Sequence, residues 1–119
     1  MGKAQIEVKR VYDDSAESDG RRVLVDRVWP RGLKKEAAEL DDWDKDVAPS
    51  SQLRKWYGHD PDRFDEFSQR YRDELDEHSD VLDDLLDAVR DGKVTLLTAT
   101  KDVEHSQAVV LADILRERS

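Results

Sequence analysis

The segment Arg22-Val-Leu-Val-Asp26 decides the fold, together with a second segment of the same kind, Val94-Thr-Leu-Leu-Thr98. Both are short and almost continuously apolar, a pattern typical of strands that are buried on both faces of a sheet. Residues 5–12 carry a weaker strand pattern. The run Trp29-Pro-Arg-Gly32 ends the first buried strand, because proline and glycine interrupt regular strand pairing.

The segments on either side of the first buried strand are polar. Residues 13–20 are acidic and contain serine and glycine, which indicates an exposed loop. Residues 35–46 favour a helical connection, with Leu40 and Trp43 as its apolar anchors. We therefore expect no further strand between the two apolar runs.

Three helices with start and stop signals are predicted between residues 50 and 92, and a fourth begins at residue 102 or 106. Glycine ends the first and the third of these helices. Pro61 stands at a first helical position, where its missing N–H has no cost. The middle helix presents one apolar stripe at helical spacing. The stripe consists of Phe64, Phe67, Tyr71 and Leu75, and the predicted N-caps are Ser50 or Ser51, Asp60 and Ser79.

The elements follow one another in the order strand, helices, strand and helix, which is typical of a layered α/β domain with parallel central strands. No repeat, low-complexity tract or long linker divides the sequence. We therefore expect residues 1–119 to form a single domain. Its predicted architecture is a short, mostly parallel central sheet covered by about five helices.

The composition is strongly charged: of 119 residues, 41% are charged and 37% apolar, and the net charge is −9. This charge opposes nonspecific association with nucleic acid or anionic membranes. The absence of cysteine excludes disulfides and thiolate chemistry. No apolar run reaches the length of a membrane span and no signal-peptide core is present, so we expect a cytoplasmic protein. The excess of 20 Asp over 9 Glu fits either a halophilic source or a GC-rich proteome.

Polar residues of functional interest follow the two buried strands. In parallel α/β sheets, ligands bind beyond the carboxyl ends of the strands, where loops and helix N-termini converge. If the two strands are neighbours, both groups of residues lie on the same edge of the sheet. The groups are Asp26, Arg27 and Arg31 after the first strand, and Lys101, Asp102 and His105 after the second.

The residues after the first strand have a functional and a structural interpretation. Arg31 fits an anion clamp, because its planar guanidinium sits on a loop. Alternatively, it stacks on Trp29 or pairs with a surface aspartate. Asp26 ends an apolar run, so we expect it to be partly buried and paired with Arg27, Arg31 or Lys101. Such a pair could equally be structural.

The residues after the second strand lie at the start of a helix. Unpaired backbone N–H groups at this position favour a bound anion near Lys101. Asp102 is also a natural N-cap, which requires no function. His105 is of a residue type that can act as an acid or a base, or it can be purely structural.

A further dense cluster lies in the segment Leu53-Arg-Lys-Trp-Tyr-Gly-His-Asp60. Lys55, Trp56 and His59 are predicted to form one wall of a pocket. Alternatively, Trp56 belongs to the core and His59 caps the end of a helix. The few histidines show no metal-binding spacing, so we predict neither a metal site nor a cofactor.

Several sequence runs resemble one known family, the YeaO-like proteins, catalogued as domain of unknown function 488. The resemblance spans almost the whole chain, implies a small Rossmann-like α/β domain, and implies no particular activity. This chain departs from the family with Thr98-Ala-Thr100 in place of Tyr-Ala-Ala, and with His105-Ser106 in place of His-Asn. The matching runs are Arg22-Val-Leu-Val-Asp-Arg-Val-Trp-Pro-Arg-Gly32, Ala48-Pro-Ser50, Leu53-Arg-Lys-Trp-Tyr-Gly-His-Asp60, Val94-Thr-Leu-Leu97, Lys101-Asp102 with His105, and Ala108-Val-Val-Leu111.

The leading functional hypothesis is a pocket for a small anionic ligand, such as a nucleotide or another phosphate or carboxylate compound. A hydrolase acting on such a ligand would use Asp26 and His105 as catalytic residues. The alternative is a noncatalytic interaction or regulatory domain, a homodimer with Trp29, Trp43 or Trp56 at its interface. The candidate ligand-binding residues are Arg27, Arg31, Lys55, Trp56, His59, Lys101 and Asp102.

Overall fold

The two apolar runs form strands of one parallel sheet, as predicted, and the structure places them side by side. The computed structural model describes residues 5–118 and contains a sheet of four parallel strands. In spatial order they are β1, β4, β2 and β3, so β4 and β2 are the two central strands. Their bounds are β1 Ile6–Arg10, β2 Arg21–Leu24, β3 Asp42–Trp43 and β4 Val94–Thr98.

Successive side chains of the central strands face opposite sides of the sheet. Val23 and Leu96 are in register and belong to the large core, to which four helices also contribute. The next registered pair, Leu24 and Leu97, belongs to a smaller cluster with Val11. Because both faces are covered, the central strands contain apolar residues at consecutive positions.

The helices confirm the predicted number. They are α1 Lys35–Ala38, α2 Ser51–Tyr57, α3 Phe64–Glu77, α4 Asp83–Asp91 and α5 Gln107–Arg118, and short 3₁₀ turns lie between several of them. The predicted stripe of α3 faces the core, with Phe67, Tyr71 and Leu75 buried and Phe64 half-buried. No helix within residues 5–118 combines the length and the apolar character needed to cross a membrane.

Two of the predicted helix starts are confirmed at the level of hydrogen bonds. The Ser50 hydroxyl accepts a bond from the Leu53 N–H at 3.1 Å and caps α2. The Asp60 carboxylate accepts a bond from the Asp62 N–H at 3.0 Å, at the start of a 3₁₀ turn that continues into α3. The prediction for Ser79 is wrong, because this residue opens a 3₁₀ turn that leads into α4 without a capping side-chain bond.

The prediction of a helix over residues 35–46 is largely wrong. Only α1 forms, and Glu39 ends it with a left-handed backbone at φ 48°. The following residues pair with the free edge of β2: the Asp44 N–H donates to the Leu24 carbonyl at 2.8 Å. Trp43 is 40% exposed and contacts Trp29 edge-on at 5.4 Å, so it does not anchor a helix. Satisfying the backbone groups of β2 outweighs the weak helical pattern.

The loop over residues 13–20 is exposed, as predicted, except at its end. Asp19 is 2% exposed and contacts Lys9 Nζ at 3.1 Å and Arg22 Nη1 at 2.5 Å. Burial opposes ionisation of Asp19, but hydrogen bonds from the Ala16 N–H and from both cations outweigh it and lower its pKa. Gly20 follows with φ 66°, and a Cβ there would lie 2.4 Å from the Lys93 carbonyl oxygen. The end of the loop therefore packs closely against the backbone of Lys93, the residue before β4.

Candidate functional site

Asp26 and Thr98 meet at the carboxyl edge of the sheet, because β2 and β4 are parallel neighbours. The Thr98 hydroxyl donates to Asp26 Oδ1 at 2.7 Å, and the Ala99 N–H donates to Oδ2 at 2.8 Å. Gln107 at the start of α5 donates from Nε2 to Asp26 Oδ1 at 2.5 Å. The ends of the two buried strands therefore share one edge, as the sequence predicts.

The partners of Asp26 differ from those expected. All three hydrogen-bond donors are neutral, whereas the sequence favours an ion pair with Arg27, Arg31 or Lys101. The cause is geometric: Thr98 is the last residue of the neighbouring strand and Ala99 follows it directly, so their donors reach the carboxylate without a long side chain. Within residues 5–118, the half-buried Asp26 thus accepts hydrogen bonds from neutral donors and forms no ion pair.

A cavity of about 290 Å³ lies beyond this edge of the sheet. The ends of β2 and β4, helix α2 with the turn after it, and the start of α5 contribute its walls. It is lined by Asp26, Arg27, Val28, Ala48, Pro49, Arg54, Tyr57, His59, Phe67, Ala99, Thr100, His105, Ser106 and Gln107. Four of the predicted site residues, Asp26, Arg27, His59 and His105, are among them.

Two guanidinium groups line the cavity. Arg27 donates to the carbonyl oxygens of Ala48 at 3.2 Å and Pro49 at 3.4 Å. Arg54 donates from Nη2 to the Ser51 hydroxyl at 3.2 Å. Its Nε is buried, and no acceptor within residues 5–118 reaches it. The cavity is therefore locally cationic in a chain whose net charge is −9.

Tyr57 closes the apolar side of the cavity. Its ring stacks on Phe67 with centroids 4.2 Å apart and planes at 16°, and its hydroxyl donates to the His105 carbonyl at 2.6 Å. Burial, followed by the charges of Asp102 and Asp60, raises the pKa of Tyr57. With one face covered by Phe67 and the hydroxyl engaged, Tyr57 acts mainly as a wall.

Both cavity histidines have a defined setting. His105 Nδ1 lies 2.7 Å from Asp102 Oδ2, and its ring meets Phe64 edge-on at 5.2 Å. His59 is exposed and has a left-handed backbone at φ 56°, directly after Gly58 at φ 55°. Two successive left-handed residues reverse the chain at the cavity wall. Within residues 5–118, no group of three or more histidine and acidic side chains is arranged to hold a metal ion.

The other predicted ligand-binding residues do not line the cavity. The side chains of Arg31, Lys55 and Lys101 are exposed. Trp56 is half-buried and packs against the guanidinium groups of Arg70, at 4.3 Å from its ring centroid, and Arg63, at 5.4 Å. Asp102 reaches the cavity only through its contact with His105.

Four polar residues that line the cavity are not among the predicted site residues: Arg54, Thr100, Ser106 and Gln107. A signal for Arg54 exists, because Leu53 and Tyr57 are four residues apart and define the inward face of α2. Arg54 lies next to that face, whereas Lys55 lies opposite it. For the other three no such periodicity is available, because they lie just outside or at the end of a regular element.

Comparison with known proteins places these features in one family. The chain matches the family described as "Inactive DUF488-N3 subclade" over residues 5–119. A protein of Mycobacterium tuberculosis described as uncharacterized is 47% identical over 116 residues, which cover 98% of each chain. YeaO of Escherichia coli, also described as uncharacterized, is 43% identical over 111 residues, covering 93% of this chain and 96% of its own. No solved structure matches the chain.

Proposed function

The chain belongs to the DUF488 family, in the subclade described as inactive, and on this basis we propose that it binds a small anionic ligand without converting it. The observation that carries the proposal is the pair of guanidinium groups, Arg27 and Arg54, lining one cavity. Arginine suits this role because its planar donors match the oxygens of a phosphate or carboxylate.

Arg54 carries donors that an anion can use. A guanidinium has five N–H donors. Within residues 5–118, the Arg54 guanidinium makes one hydrogen bond, from Nη2 to the Ser51 hydroxyl at 3.2 Å. Its Nε is buried, so its terminal N–H groups are the ones that can bind an anionic oxygen in the cavity. The bonds of Arg27 to carbonyl oxygens are long, at 3.2 and 3.4 Å, so an anion can compete for that group as well.

Asp26 supports binding over turnover. A carboxylate has about four lone-pair sites. Three donors already occupy the oxygens of Asp26, which limits its use as a base toward a ligand. The description of the subclade as inactive agrees with this arrangement.

Titration calorimetry with orthophosphate tests the proposal. We expect Arg54→Gln to weaken binding at least about tenfold, because one charge-assisted hydrogen bond contributes about 1.5 kcal/mol or more. Lys55→Gln is the matched control, since Lys55 is the next residue of α2 and is exposed outside the cavity. Equal losses in the two variants, or no binding by the unaltered protein, would contradict the proposal.

The contact between Asp102 and His105 favours one second candidate, hydrolysis of the bound ligand. A carboxylate on Nδ1 orients the ring and leaves Nε2 to take a proton from an attacking water. Incubation with a chromogenic phosphate monoester distinguishes the two functions. Phosphate release that persists in Lys55→Gln and disappears in His105→Gln would favour the hydrolase, and no release would favour binding alone.

A further inference from the structure

Besides its two arginines, the cavity is lined by residues that carry hydrogen-bond acceptors. Within residues 5–118, Asp26 Oδ1 accepts two hydrogen bonds, whereas Oδ2 accepts only the bond from the Ala99 N–H. Because each carboxylate oxygen has two lone pairs, Oδ2 can accept one more donor. Asp26 lines the cavity, so that donor can come from a ligand.

Gln107 adds a second acceptor of the same kind. Its Nε2 donates to Asp26 at 2.5 Å and to the Thr98 hydroxyl at 3.4 Å, which fixes the orientation of the amide. The amide oxygen then accepts no hydrogen bond from residues 5–118, although Gln107 lines the cavity. A ligand that fills this cavity must therefore donate hydrogen bonds as well as carry an anion.

From these observations we infer that the ligand is a hydroxyl-bearing phosphate ester of the sugar phosphate type. The inference rests on the proposed anion-binding function. The phosphate oxygens would accept from Arg27 and Arg54, and the hydroxyl groups would donate to Asp26 and Gln107. Each donor and acceptor left open in the cavity then has a partner of the opposite kind.

Charge separates this ligand from a zwitterion such as an amino acid, which also combines an anion with hydrogen-bond donors. Two arginines and one aspartate give the cavity a net charge of +1 when His59 and His105 are neutral. A phosphate monoester carries about −1.5 to −2 at neutral pH and compensates this charge, whereas a zwitterion does not.

Size limits the ligand further. A volume of about 290 Å³ lies near the lower end of the range of about 300–1,000 Å³ for ligand pockets. The cavity thus has room for one small ring with its phosphate. The ligand is either a free sugar phosphate or the ribose phosphate of a nucleotide, whose base would lie at the mouth near Val28, which is 63% exposed.

The experiment compares dissociation constants for orthophosphate, ribose 5-phosphate, ribose, adenosine monophosphate and glycine by titration calorimetry. We expect ribose 5-phosphate to bind at least about tenfold more tightly than orthophosphate, and ribose and glycine to bind far more weakly. Adenosine monophosphate as tight as ribose 5-phosphate identifies nucleotides as a source of the ligand. Weaker binding of the nucleotide identifies free sugar phosphates.

Two variants test the assigned acceptors. Gln107→Leu should reduce the preference for ribose 5-phosphate over orthophosphate about fivefold and leave orthophosphate binding unchanged. Asp26→Asn should act in the same direction, and Lys55→Gln should change neither constant. Orthophosphate binding without a preference for ribose 5-phosphate would overturn this inference and leave the proposed function intact. The absence of any anion binding would overturn both.

Discussion

Asp19 and Asp26 lie just before and just after the same strand, β2, but differ in exposure, in the charge of their partners and in their surroundings. Asp19 is 2% exposed and paired with Lys9 and Arg22. Asp26 is half-buried, accepts only from neutral donors, and lines a cavity. The Asp19 carboxylate is buried and paired with two cations, whereas the Asp26 carboxylate keeps a free lone pair next to the cavity.

The same neighbouring strand contacts both aspartates, at the backbone of Asp19 and at the carboxylate of Asp26. Thr95 of β4 donates from its hydroxyl to the Asp19 carbonyl at 2.7 Å, and Thr98 donates to Asp26 Oδ1 at 2.7 Å. The difference therefore arises from what surrounds each end of the strand pair. Removing one partner of a buried ion pair is strongly destabilising, whereas a carboxylate that only neutral donors contact can still accept a hydrogen bond from a ligand.

The largest expected effect on stability follows from disrupting the ion pairs of the buried Asp19 with Lys9 and Arg22. Asp19→Ala should lower the free energy of unfolding by about 3–5 kcal/mol, because it leaves Arg22 buried without its carboxylate. Urea denaturation measures the loss. Asp42→Ala is the control: it removes the exposed ion pair with Arg21 and should cost less than about 1 kcal/mol. Similar losses in both variants would mean that burial does not distinguish the two pairs.

An intermediate effect is expected at the open carboxylate. Thr98→Val keeps the shape of a buried side chain but removes the hydroxyl that donates to Asp26. A hydrogen bond to a charged group contributes about 1.5–3 kcal/mol, so the free energy of unfolding should fall by about that amount. A loss as large as that of Asp19→Ala would contradict the distinction between the two carboxylates. Thermal and urea unfolding of the same preparation provide the measurement.

The smallest effect is expected at Asp44, where a backbone hydrogen bond from Asp46 compensates the charge only in part. Burial, followed by repulsion from Asp46 and Asp84, raises the pKa of this carboxyl group. A raised pKa means that folding opposes its ionisation, so Asp44→Asn should stabilise the protein at pH 7 by less than about 1 kcal/mol. The gain should vanish as the pH falls and the unaltered Asp44 becomes protonated.

Asp19→Asn should change the free energy of unfolding in the opposite direction to Asp44→Asn. Because the pKa of Asp19 is lowered in the folded state, its ionised form contributes stability above the unfolded value of about 3.9. That contribution disappears as the pH falls below about 4 and through the lower, folded-state pKa. The difference between unaltered and Asp19→Asn protein should therefore narrow in acid. Parallel pH profiles for the Asp19 and Asp44 variants would refute the assigned directions.

The sequence predicts those parts of the molecule that depend on local patterns. The runs over β2 and β4 are apolar at consecutive positions, and Ser50 and Asp60 carry capping side chains, so strands and helix starts are visible without a structure. The strand β3 cannot be predicted from the sequence, because its two residues adopt a strand only by pairing with β2. The burial of Asp19 is equally hidden, since Lys9 comes from another strand.

The candidate site is predicted in its location more than in its members. The rule for parallel sheets leads to the edge that holds Asp26, and the family resemblance adds the segment with His59. Which side chains turn inward depends on the direction of α2 and on the first turn of α5. The contributions of Arg54 and Gln107 therefore emerge only when these helices are placed against the sheet.

The position of β4 has a consequence for the order in which the chain acquires its structure during synthesis. β1 pairs only with β4, and β2 pairs with β4 and the two-residue β3. A ribosome releases β1, β2 and β3 first, and β4, which joins β1 to β2, last among the four. Until then, β1 and β2 lack their main hydrogen-bonding partner. The complete sheet can therefore form only after residue 98 has emerged. Until then, the acidic surface of the nascent chain, through mutual repulsion, disfavours contacts between unpaired strands of neighbouring chains.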